Sequence, residues 1–122
     1  MDLKECYNIF GGNYNNVIVR LITEERVKKF LFMFLKDTSF NELESAMKCS
    51  DYKSAFRAAH TLKGVCANLG IEKLGKVSSE ITEALRAKDN DTADRIFPQV
   101  SQYYSKTIDA INQLDQNESV QI

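Results

Sequence analysis

The segment Ala58-Ala59-His60-Thr61-Leu62-Lys63-Gly64-Val65-Cys66-Ala67-Asn68-Leu69-Gly70 carries the protein's single histidine. Four residues later it has a glycine inside an otherwise strongly helical pattern. Wound at ~100° per residue, Ala55, Ala58, Leu62, Val65, Cys66 and Leu69 gather on one side. Such a stripe faces a core. His60 falls at the opposite pole, with Lys53, Phe56, Arg57, Lys63, Gly64 and Ala67 around it. The wheel therefore places an imidazole outward, among basic and very small neighbours. Exposed helix histidines are common and most are inert, so the wheel alone does not give His60 a role.

Outward from this segment the chain reads as helix after helix. Ser50-Asp51 supplies an N-cap for the His60 helix, and Gly70 is its natural C-terminal cap. Upstream, Leu3, Cys6, Tyr7 and Phe10 keep helical spacing until Gly11-Gly12 stops them. Tyr14, Val17, Ile18 and Leu21 form a second short amphipathic helix. Thr23 then reads as an N-cap, with Glu24 and Glu25 well placed in the first turn. Val27, Phe30, Leu31, Phe34 and Leu35 form its stripe, while Phe32 and Met33 point elsewhere. A helix so apolar around its circumference is either deeply buried or carries a binding patch. Asp37-Thr38-Ser39 bends or interrupts the pattern before Phe40, Leu43, Ala46 and Met47 resume it.

Downstream, Ile71, Leu74, Val77 or Ser78, Ile81, Ala84 and Leu85 define a helix ending at Lys88. Asp89-Asn90-Asp91 is a turn in which Asp91 can cap the last helix. That helix continues through Ile96, Val100, Thr107, Ile111 and Leu114, with a kink expected at Pro98. Residues 116–122 read as a polar, frayed tail. No strand alternation or repeat is present. The expected fold is all-α: an up-and-down four-helix bundle with short N-terminal capping helices, occupying residues 1–115 as one domain.

Composition excludes several classes. The 122 residues are 43% hydrophobic and 27% charged, with a formal net charge of −1. No overall field therefore attracts nucleic acid or an anionic membrane. The start, Met1-Asp2-Leu3-Lys4-Glu5, has no apolar leader pattern, and the apolar run from Phe30 to Leu35 is too short to span a bilayer. Three unpaired-looking cysteines, Cys6, Cys49 and Cys66, suit a reducing compartment. The expectation is a cytoplasmic protein. One histidine with scattered cysteines makes no metal site. The neighbours of His60 are basic or small, which does not fit a hydrolytic triad. No phosphate-binding glycine loop or dinucleotide fingerprint exists, so no motif for binding ATP is present.

His60, Leu62, Lys63, Gly64, Leu69 and Gly70, in the frame H-x-L-K-G-x-x-x-x-L-G, resemble the signature of the histidine-containing phosphotransfer (HPt) domain. The match is dense, six positions over eleven residues, and the likeness in helix order extends over roughly residues 1–115. The resemblance implies a monomeric four-helix bundle that relays a phosphoryl group between the aspartates of response-regulator receiver domains. A hybrid sensor kinase is a further partner it allows. His60 would be the phospho-acceptor and Lys63 a phosphate partner, and the receiver would supply Mg²⁺ and the phosphorylatable aspartate. The dimerisation domain of a sensor kinase also carries a helical histidine. There an acidic residue typically follows the histidine and a proline comes later, unlike Thr61 and the proline-free helix here.

The residues around His60 suit that chemistry. Neutral imidazole is a nucleophile, and Lys53, Arg57 and Lys63 can screen an arriving phosphate. Gly64 clears space beside the ring, while Phe56, Arg57, Gly64, Ala67 and Lys53 are the candidate partner contacts. Without autonomous kinase chemistry the chain would act as a carrier with no cofactor of its own. The alternative is a helical interaction module in which His60 is incidental.

Overall fold

Side-chain and glycine caps place most of the helix boundaries. The computed structural model describes residues 1–120. Asp2 accepts the Glu5 N–H at 2.8 Å to open α1 (Leu3–Phe10), which closes on Gly11. Asn13 opens α2 (Tyr14–Leu21) and Thr23 opens α3 (Glu24–Phe34), each accepting a backbone N–H three residues on. The Asp37 carboxylate takes the Ser39 N–H at 2.8 Å. This polar segment thus separates α3 from α4 (Ser39–Lys48) rather than bending one long helix. Asp51 caps α5 (Tyr52–Leu69), and Gly70 ends it in the left-handed region at φ +68°, where a side chain would be strained. The helices α6 (Glu72–Arg86) and α7 (Asn90–Val120) complete the order, and no strand occurs among the described residues.

Three boundaries differ from the sequence reading; α6, expected to end at Lys88, stops at Arg86 with Ala87 as its cap. The cap of α7 is Asp89, not Asp91: Asp89 accepts the Thr92 N–H at 3.2 Å and its hydroxyl at 2.7 Å. Asp91 already lies in the first turn, because the helix starts at Asn90. At the other end the helix continues beyond Asp115 to Val120. Lys28 of α3 pairs with Glu118 across 2.7 Å there, joining this last part of α7 to α3. Residues 121–122 of the expected tail lie outside the described residues. Pro98 sits inside a helix that continues on both sides of it, at the cost of one backbone hydrogen bond.

Each of α4, α5, α6 and α7 packs on the next, and α1 lies against α7. Leu43, Leu62, Leu74, Ile81, Ile111 and Leu114 are fully buried at the centre. Each such side chain contributes about 1.5–3 kcal/mol by leaving water. The buried face of α5 is wider than the wheel implies: Ala59 is fully buried, while Val65 is only half-buried. The cause is tertiary, since α4 and α6 both flank α5 and cover more than one stripe. Cys6 and Cys66 are buried and Cys49 is exposed, all as free thiols. Burial pushes the Cys66 thiol up to about 12, which makes it an inert packing group. Among the described residues, no helix is long and apolar enough to cross a membrane.

Candidate functional site

The last turn of α5 is held from outside the helix. A helix end leaves carbonyls without intrahelical donors, and here other elements supply them. The Tyr7 hydroxyl of α1, buried, donates to the Leu69 carbonyl at 2.6 Å. Arg20 of α2 donates to the carbonyls of Ala67 at 2.6 Å and Asn68 at 2.9 Å, and also bonds the Asn16 side chain. The Asn13 N–H reaches the Gly70 carbonyl at 2.8 Å. Burial, reinforced by the neighbouring Cys6, raises the Tyr7 hydroxyl far above the ordinary tyrosine range, so it stays a neutral donor. Positioned this way, α5 is a fixed rod for the groups along it.

Nine residues back from Leu69, His60 is exposed. It makes no hydrogen bond among the described residues, and its ring lies nearly parallel to that of Phe56, with centroids 6.0 Å apart at 13°. Gly64 follows one turn later, also exposed, and a Cβ added to it would meet nothing within 4 Å. No neighbouring helix therefore requires the glycine. Lys53, Arg57 and Ala67 are exposed as well, and Lys63 is half-buried, a pattern usual for a lysine stem with its charge in water. Phe56 is half-buried against the core. The Arg86 guanidinium of α6 sits over its ring at 5.0 Å, so Arg86, Phe56 and His60 form a column across two helices.

The structure thus brings all seven candidate residues onto the outer side of α5, and it adds residues that a wheel of one helix does not reveal. Lys53, Phe56 and Arg57 share a concavity of about 810 Å³ with Leu85, Arg86 and Lys88 at the end of α6. Toward the C-terminal end of α5, Val65 and Leu69 face Leu21, Phe30 and Met33 across a cleft of about 450 Å³. Met33 is 54% exposed there, so part of the apolar surplus of α3 remains unburied. Basic residues near the end of α6 were the only sequence signal for Arg86 and Lys88. Nothing in the local pattern pointed to Tyr7 or Arg20.

An accessible imidazole ringed by cations can attack an electrophile bearing negative charge and hold the product by charge-assisted contacts. Among the described residues, no cluster of His, Cys, Asp or Glu could hold a metal ion.

Comparison with known families returns one finding: the Hpt domain model matches residues 33–117. No match was found among curated proteins, nor among solved structures. The matched span contains the whole of α4, α5 and α6, the His60 face included, and most of α7, leaving α1, α2 and nearly all of α3 outside it. With well over half of its length matched, the chain belongs to the Hpt domain family, whose members carry out phosphotransfer in phosphorelay signalling.

Proposed function

We propose that this chain is a phosphorelay carrier in which His60 accepts a phosphoryl group from a receiver-domain aspartate and passes it to another receiver. A ring nitrogen of the neutral imidazole attacks phosphorus, an N–P bond forms, the P–O bond to the aspartate breaks, and the aspartate leaves as a carboxylate. The receiver brings the divalent ion and the aspartate, and Lys63, three residues from His60 on a neighbouring ridge, offers its ammonium to the transferred phosphate. In this reading α4–α7 form the up-and-down bundle, α1–α3 cap it, and the protein works as a cytoplasmic monomer. The observation that carries the proposal is the open surface beside the exposed His60, where a Cβ added at Gly64 would meet nothing within 4 Å. Phosphoryl transfer depends on in-line approach, which such a surface permits.

The test is to incubate the chain with a receiver domain carrying radiolabelled phosphate and to examine the label it acquires. Acid-labile, alkali-stable phosphate on the parent and none on His60→Gln is expected. Equal labelling of both chains would remove His60 from the relay.

A further inference from the structure

The concavity beside His60 combines an apolar floor with a cationic rim. Phe56 and Leu85 form the floor, while Lys53 and Arg57 from α5 face Arg86 at the end of α6 and Lys88 in the turn after it. These cations are concentrated in a chain whose formal net charge is −1. No carboxylate lines the concavity itself. Glu83 pairs with Arg86 across 3.2 Å in an exposed contact. Asp51 accepts the Ser54 N–H, Asp89 holds Thr92, and Asp94 takes the Tyr52 hydroxyl. Among the described residues Lys53, Arg57 and Lys88 form no ion pair.

Four cations on one rim, of which only Arg86 is in an ion pair, repel one another, and an acidic surface relieves them while speeding encounter. A small free anion would meet the rim and leave the Phe56 floor uncovered. A protein segment carrying an apolar side chain between carboxylates would fill both. We infer that this groove is a selectivity site for an acidic segment of the partner protein. One apolar anchor sits on Phe56 and Leu85, and carboxylates meet Lys53, Arg57, Arg86 and Lys88. The inference rests on the relay reading of His60, and it assigns half of the recognition charge to the end of α6 and the turn that follows it.

The experiment separates the two readings. The isotope-labelled His60→Gln chain, which keeps the groove, is titrated with a synthetic peptide holding one phenylalanine between pairs of glutamates. Shifts of the Phe56, Arg57, Arg86 and Lys88 amides are expected. Affinity should fall about tenfold or more in an Arg86→Glu, Lys88→Glu chain shown by circular dichroism to be folded. A lysine-for-glutamate peptide should not bind, and an alanine-for-phenylalanine peptide should bind more weakly. With His60 intact, the same double substitution should raise KM for a labelled receiver and leave kcat unchanged. The groove assignment fails if the double variant binds the acidic peptide as the parent does. It also fails if inorganic phosphate shifts the same amides while phenylalanine adds nothing, or if KM does not move. Peptide binding without any receiver labelling His60 would uphold the groove and sink the relay reading.

Discussion

The last turn of α5 and its middle belong to one continuous helix and are treated in opposite ways. Around Leu69 and Gly70 the backbone is engaged by Tyr7, Arg20 and Asn13, which reach it from α1, α2 and the turn between them. Around His60 and Gly64, about 8–14 Å back along the axis from Leu69, the side chains face solvent and no helix crosses over them. Tertiary contacts have been spent on the end that sets where the helix lies, and withheld from the part where a partner must arrive. The contrast assigns stability to one region and transfer to the other. Each substitution below should therefore move one quantity and spare the other.

The largest effect belongs to His60→Gln, which should abolish phosphate acceptance and change unfolding free energy by less than ~0.5 kcal/mol, as for an exposed site. Denaturant unfolding beside a labelling assay checks both halves, and a strongly destabilised variant would mean that His60 is structural. Next comes Gly64→Leu. A bulky side chain one turn from the imidazole should nearly block transfer with the fold retained, and transfer at the parent rate would defeat the idea that the glycine serves access.

Tyr7→Phe tests the other region. Losing the hydroxyl leaves the buried Leu69 carbonyl without that donor, at a cost of about 1–3 kcal/mol, readable as a lower urea midpoint. The transfer rate per folded molecule should stay near that of the parent, and a collapse of transfer at unchanged stability would show that the two regions are coupled. Smaller still, Gly64→Ala should stabilise by about 0.5–1 kcal/mol, because glycine is unfavourable inside a helix and the added Cβ meets nothing. A loss of stability there would contradict the open surface.

The smallest effect is acid-side. Hydrogen bonds from the Ser54 side chain and N–H hold the Asp51 carboxyl below its usual range. A depressed folded value means that the stabilisation is present above the ordinary carboxylate value and disappears as pH falls through the lower one. Asp51→Ala should thus melt slightly earlier than the parent at neutral pH, and the two curves should converge in acid. A gap that does not narrow in acid would mean that the carboxylate's charge is not what stabilises the cap.

Much of this was legible in the residues. Thr23 and Asp51 as caps and Gly11 and Gly70 as stops follow from local hydrogen bonding and backbone sterics, so neighbouring residues suffice to place them. The outward direction of His60 and the inward direction of Leu62 follow from helical geometry alone. The Asp89 cap was misread as Asp91 because both acids in one turn satisfy the same local rule, and one residue of helix start separates them. Ala59 escaped notice because its burial depends on how many helices flank α5, which periodicity along α5 does not reveal.

By itself, then, the sequence determined the helical class, most of the boundaries and the face on which His60 stands, since each depends on residues within a few positions of one another. Only the tertiary structure decided that Tyr7 and Arg20 secure the end of α5, that Arg86 lies over Phe56, and that Leu85 and Lys88 complete a basic groove beside the histidine. Those contacts join residues far apart in the chain. Their formation depends on how whole helices pack, and no local pattern encodes that.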